Sequence, residues 1–268
     1  MNKKSLRRGV LSAFAFTVAT AGTASRPALA EAVKVGVLAH YSGPFSIWGR
    51  QFREGVETYQ KLHGAGPEGH EIEFVYKDLP DPNPPQAKAL AQEMIVKEGV
   101  QYLGGFVFTP NAAAVAPLAT QADVVTVIFN AAGADILQQS PNFLRTSFTL
   151  KQLSAPVAEY VMANDRKKIV TLVSDYGPGA DSEDAFSTAF EARGGEIAEK
   201  IRMPLNTTDF GPFMQRALSS DPDAIFGFLP SSGPLNLAFL KAYRDNGLDK
   251  SDVAFFGTAA TDEADLQS

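Results

Sequence analysis

The chain has 268 residues, with 24 basic and 30 acidic side chains, a net charge of −6 and no cysteine. The missing thiols exclude disulfides, thiol catalysis and cysteine-ligated metal. An acidic chain with no basic patch is not expected to bind nucleic acid or an anionic membrane, and Arg166-Lys167-Lys168 has the look of a solvated helix end.

Residues 1–30 have the form of a secretory signal. Lys3, Lys4, Arg7 and Arg8 give a basic start, Val10 to Val18 a short apolar run, and Ala28-Leu29-Ala30 a small-x-small cleavage site. The run falls short of the roughly 20 residues a membrane span needs. No cysteine stands near the cleavage point to carry a lipid. The signal holds five basic residues and no acid, so the chain from Glu31 onward has 19 basic against 30 acidic residues, a charge of −11. An exported chain with no membrane insertion after signal removal is expected.

Val33 to Leu38 is an apolar run that predicts a buried strand, and Phe52, Val56, Tyr59 and His63 follow near helical spacing. Between them lies Tyr41-Ser42-Gly43-Pro44-Phe45-Ser46-Ile47-Trp48-Gly49, a strand-to-helix loop with three aromatics, which is either a pocket loop or a turn with Phe45 and Trp48 tucked into the core. Glu71 to Tyr76 predicts a strand, 78–85 an acidic proline-rich loop, and Ala87 to Ile95 a helix. Tyr102 to Phe108 predicts a strand, Thr109-Pro110 a helix start, and Val124 to Phe129 a strand leading into Asn130-Ala131-Ala132-Gly133. Arg145 to Thr149 breaks the rhythm and predicts an extended crossing between two domains, 31–147 and 148–268. Strands are then expected at 169–173, 197–203, 224–228 and 253–256, with helices between them. Such alternation predicts an α/β fold of parallel sheets flanked by helices.

Gly64 to Gly69 matches G-x-G-x-x-G, but it follows a helix and contains Pro67, so a connecting loop is the better assignment. No phosphate-loop or nucleophile-elbow motif occurs. His63 and His70 are expected at a helix end and in a loop, and His40 borders the first loop either as a ligand contact or as a buried hydrogen-bonding group. Asp175 could bond a ligand or make an Asx turn. Asp262, Glu263 and Asp265 fit a solvated helix start better than a metal site. No metal or cofactor is expected. Strand-end loops of both halves carry pocket-like residues, and two α/β domains with facing strand ends form a cleft. Helix amino ends at Thr109-Pro110 and Ala131-Ala132 would offer free N–H groups to a carboxylate there.

The export signal, Val35-Gly36-Val37 running into Ser42-Gly43-Pro44 and Gly49-Arg50-Gln51, Arg145-Thr146 and Tyr176-Gly177-Pro178-Gly179 together resemble a periplasmic solute-binding protein of the branched-chain amino-acid type. The resemblance runs over the whole chain after the signal. It implies a two-lobed type I periplasmic-binding-protein fold that closes on a small molecule and docks on the permease subunits of an ABC importer, as a monomer and without catalysis. By motif position it implies ligand contacts at Tyr41, Ser42, Phe108, Thr109, Ala131, Ala132, Tyr176, Leu229 and Pro230, with Phe45, Trp48, Asn130 and Ala259 on the same loops. Amino-acid binders of this type place an acid after the strand near Gly257, where this chain has Thr258-Ala259-Ala260. A buried ammonium without a partner is costly. That departure, Phe108, and the 130–132 and 145–149 stretches point to the aromatic-acid branch, with a benzoate or cinnamate derivative as ligand. A branched-chain or other amino acid, with Asp262 as amine partner, is the alternative; an exported enzyme or a sensing module is the remaining one. The resemblance also implies further chain beyond Ser268, without which the second lobe is truncated and apolar surface and a sheet edge stay uncovered.

Overall fold

The computed structural model describes residues 32–64, 66, 69–230 and 233–258. The expected signal, Ala259 and the 262–265 acids lie outside the described residues.

Two parallel sheets form. The first holds β1 (Val33–Ala39), β2 (Ile72–Asp78), β3 (Tyr102–Gly105), β4 (Val125–Ile128) and β5 (Phe143–Arg145), in the order β2-β1-β3-β4-β5. Helices α1 (Ser46–His63), α2 (Pro84–Glu93) and α3 (Thr109–Ala122) connect its strands. The second holds β6 (Lys168–Ser174), β7 (Glu196–Met203), β8 (Ala224–Phe228) and β9 (Ala254–Thr258), in the order β7-β6-β8-β9. Helix α4 (Leu150–Ala163) leads into it, and α5 (Gly177–Glu191), α6 (Gly211–Ser219) and α7 (Gly233–Asp245) connect its strands. The α/β fold of parallel sheets and helices expected from the alternation is therefore present.

The continuous apolar runs have a reason in the second sheet, which is buried on both faces. Val170, Leu172 and Ile201 pack with Met214 of α6 and Phe239 of α7. Ile169, Val173 and Phe226 pack with Val161 of α4 and Phe186 and Phe190 of α5. Successive side chains on a strand alternate faces, so one run serves both cores. In the first sheet, Leu38, Leu103 and Ile128 pack against Ala87 and Ala91 of α2 and Ala112, Ala116 and Ala119 of α3. These small side chains let the two helices approach closely.

Three boundaries differ from expectation. β3 stops at Gly105, because Phe106 has φ +64°, a left-handed backbone that cannot continue a strand. β5 is only three residues long and carries too short a pattern to be read from sequence. α1 begins at Ser46, so Trp48 and Gly49 belong to a helical first turn rather than a loop.

The crossing from β5 to α4 ends in a capping box. The Thr149 hydroxyl accepts from the Gln152 N–H at 3.1 Å, and the Gln152 side chain accepts from the Thr149 N–H at 2.8 Å. Thr149→Ala is expected to lower stability by about 1 kcal/mol, while Thr149→Ser retains most of it. Denaturant midpoints of the two variants check this.

Candidate functional site

Parallel register puts the carboxyl ends of the strands at one edge of each sheet. Leu38 pairs with Gly105, Gly105 with Ile128 and Ile128 with Arg145; in the second sheet Val173 pairs with Phe228 and Phe228 with Thr258. The loops that leave these ends enclose a cavity of about 260 Å³. The first half contributes Trp48, Val107, Phe108, Thr109, Asn130 and Ala132. The crossing and α4 contribute Phe148, Leu150 and Leu153, and the second half Tyr176, Pro178, Phe228 and Pro230. Asp181 of α5 accepts the Ala134 N–H at 2.8 Å and ties the two halves beside this cavity.

The wall is mostly aromatic and aliphatic. The Tyr176 ring stacks on Phe228 with centroids 6.2 Å apart and meets Phe108 at 6.2 Å. Burial pushes the Tyr176 hydroxyl well above the usual tyrosine range, so it is a neutral donor at any physiological pH. The Thr109 hydroxyl accepts the Gly133 N–H at 3.0 Å, which leaves its own proton to donate. The Asn130 amide donates to the Val107 carbonyl at 3.2 Å and so holds the β4 loop to the β3 loop. Both α3 and α5 start at the wall, at Thr109 and Gly177, with the positive ends of their dipoles there. Arg145 donates to the Gly133 carbonyl at 2.8 Å and sets a cation behind the same loop. No charged side chain stands among the described lining residues. The chemistry available is therefore apolar enclosure with a few donors for an anion.

The expected start of a helix at Ala131-Ala132 is not found. The segment is loop, and the Ala131 N–H is taken by the Phe106 carbonyl at 3.0 Å. Ala131 and Leu229 are fully buried in the two cores and do not line the cavity, whereas Ala132 and Pro230 do.

The first loop sits differently from the rest. Asp78 at the end of β2 accepts the N–H groups of Tyr41 (2.8 Å) and Ser42 (3.1 Å), and its other oxygen accepts the Ser42 hydroxyl at 2.5 Å. Burial alone would raise the Asp78 pKa, and these hydrogen bonds outweigh it and lower it. The Tyr41 ring lies edge-on to Tyr76, with the Arg53 guanidinium over both. Neither Tyr41 nor Ser42 lines the cavity. Gly49 lets α1 close on the end of β1: its N–H donates to the His40 carbonyl at 3.1 Å, and a Cβ there would lie 2.2 Å from that oxygen. His40 is 1% exposed, packs on Phe45 and Phe108, and has no hydrogen-bond partner on either ring nitrogen among the described residues. It is a core residue behind the wall, with desolvation holding its pKa down to about 4. Asp175 is exposed and lies outside the cavity lining.

Sequence reasoning missed Val107, Phe148, Leu150, Leu153, Pro178 and Phe228 as lining residues. A usable signal existed for two of them. Phe148 and Leu153 flank the capping box at the positions of a hydrophobic staple, which directs both side chains to one side of the helix entry. Ala259 and Asp262, which bear on an amine partner, lie outside the described residues.

Comparison with known proteins shows the family. A family model described as periplasmic binding protein matches residues 32–268. The Leu/Ile/Val-binding protein homolog 6 of Brucella melitensis is 49% identical over 244 residues, covering 91% of this chain and 62% of that protein. A solute binding protein of an ABC transporter from Rhodopseudomonas palustris HaA2, solved in complex with p-hydroxybenzoic acid, is 50% identical, with a TM-score of 0.83 over 85% of this chain and 62% of that one. A counterpart from Rhodopseudomonas palustris BisB5, in complex with 3,4-dihydroxy benzoic acid, is 40% identical, with a TM-score of 0.80 and the same coverage. The chain thus spans about 62% of the length of each of these three proteins. With its two parallel sheets and the match over residues 32–268, the chain belongs to the periplasmic binding protein family, in its type I fold.

Proposed function

We propose that this chain is the solute-capturing part of an ABC importer in the periplasm, and that its inner cavity holds a single-ring aromatic carboxylate. The observation that carries this is an aromatic cavity with hydroxyl donors and two helix amino ends but no carboxylate among its described lining residues. An amino acid would bury its ammonium there without a partner. An apolar cavity of about 150 Å³ accepts a benzene ring, so 260 Å³ suits one ring with small substituents. The hydroxybenzoates bound by the two Rhodopseudomonas proteins support the same class. The described lining residues offer no nucleophile beside a base, which favours capture over catalysis. Delivery to permease subunits belongs to the same proposal.

The second reading is a branched-chain amino acid, favoured by the name of the Brucella relative. Trp48 is the sole tryptophan of the sequence and lines the cavity, so its fluorescence reports occupancy directly. Titration with 4-hydroxybenzoate is expected to give a saturable change, and leucine none. A response to leucine alone would sink the aromatic-acid assignment. Thr109→Val is expected to weaken 4-hydroxybenzoate binding about 10- to 100-fold, the worth of one hydrogen bond to a charged group, and Thr109→Ser to preserve it.

A further inference from the structure

A second and larger cavity, about 520 Å³, lies in the same cleft. Pro44, Phe45, Asp81 and Pro82 form its first side, and the 205–208 loop with Leu235 and Ala238 of α7 the other. Two rings in contact stand between it and the inner cavity. Phe45 lines the outer cavity and Phe108 the inner one, and the two rings meet edge to face at 4.8 Å. His40 backs both rings, at 5.9 and 5.2 Å.

The loop that carries Phe45 is fixed. Asp78 holds Tyr41 and Ser42 through three hydrogen bonds. Gly43 has φ +75° and lies so close to the next loop that a Cβ would stand 2.5 Å from the Pro80 carbonyl oxygen. Phe45 is thus held in place behind Phe108, as the outer ring of the wall between the two cavities. Charge sets the direction in which a longer ligand could extend. Asp81 is the one charged group on the described outer lining and repels a carboxylate, while Thr207, Thr208 and Asn206 can bond a hydroxyl. An acid would keep its carboxylate inside and point its far end outward.

We propose that the Phe45–Phe108 ring pair limits ligand length: Phe108 walls the inner cavity and Phe45, packed behind it, keeps that ring from giving way into the outer cavity, so that the chain selects benzoates over single-ring acids lengthened by two carbons. The inference rests on the aromatic-acid reading of the inner cavity and adds the ring pair that decides among such acids.

Calorimetric titration of the wild type, Phe45→Ala and Phe45→Leu with 4-hydroxybenzoate and 4-hydroxycinnamate tests it. The wild type is expected to favour the shorter acid by about 10-fold or more, the discrimination that one or two extra carbons produce in a shaped pocket. Phe45→Ala is expected to bring that ratio to one or below, with Phe45→Leu between. Adding Leu235→Phe to Phe45→Ala refills the outer cavity and is expected to restore the preference for the shorter acid. If both acids weaken by the same factor in Phe45→Ala and Phe45→Leu, Phe45 is a packing residue and the proposal falls while the aromatic-acid reading stands. If the wild type and the variants bind neither acid, that reading falls and takes the proposal with it.

Discussion

Replacing Phe186 by alanine is expected to lower folding stability by about 3–5 kcal/mol. Phe186 is fully buried on α5 and lies face to face with Phe226 of β8, centroids 3.9 Å apart and planes within 7°. Its other side faces Phe190 at 5.3 Å and 16°. The three rings tie α5 to the centre of the second sheet, at a place where Ile169, Val173 and Val161 complete the packing. Truncation removes the transfer energy of the ring and leaves a cavity between a helix and a strand that neighbouring elements hold apart. Two aromatic pairs, each worth about 0.5–1.5 kcal/mol beyond burial, go with it. Far-UV circular dichroism in urea is the suitable measurement, because the sole tryptophan lies at the start of α1 and reports on the other half. Phe186→Leu should retain much of the stability. A loss below about 1 kcal/mol for the alanine variant would show that α5 collapses into the gap.

Acidification from pH 7 to pH 4 is expected to remove about 3 kcal/mol of stability through His40 alone. An unfolded histidine takes up its proton near pH 6.5, whereas burial against Phe45 and Phe108 holds the folded His40 neutral down to about pH 4. Asp78 and Asp81 pull the other way without overcoming desolvation. Between those two pH values the unfolded chain binds more protons than the folded one, so stability falls as pH falls and levels off below about pH 4. Asp78, whose pKa is lowered in the folded state, loses its contribution at still lower pH, outside this window. His40→Leu removes the titration and leaves two fewer buried nitrogens without partners. It is expected to match or exceed the wild type at pH 7 and to lose about 3 kcal/mol less on going to pH 4. Parallel pH slopes for the two proteins would mean that His40 is solvated or paired in the folded state.

How much of the site was legible in advance depends on which residues are considered. Trp48, Phe108, Thr109, Asn130, Ala132, Tyr176 and Pro230 all line the inner cavity, and each lies in a loop that leaves a strand end or in the first turn of the helix that follows. Strand ends are visible in sequence because apolar runs stop there. Tyr41 and Ser42 stand on an equally clear loop, yet Asp78 engages one hydroxyl and both N–H groups, and Tyr76 with Arg53 draws the Tyr41 ring aside. Those partners lie more than thirty residues away for Asp78, and no local pattern announces them. Phe148, Leu150 and Leu153 were legible only as a helix entry, because their role depends on where the crossing lays α4 beside the β4 loop, where the Leu150 N–H reaches the Ala132 carbonyl at 3.1 Å.

The sequence by itself determined the alternation of strands and helices, the parallel sheets, the family, and the exclusion of thiol and cysteine-metal chemistry. Those properties follow from local periodicity and from composition, which a chain carries in any conformation. The tertiary structure alone decided which side chains share the cavity, that His40 is a neutral core residue behind its wall, and that Phe108 on the inner cavity meets Phe45 on the outer one. These depend on desolvation and on contacts between segments far apart in the chain, and both come into being only when the two sheets fold and face each other.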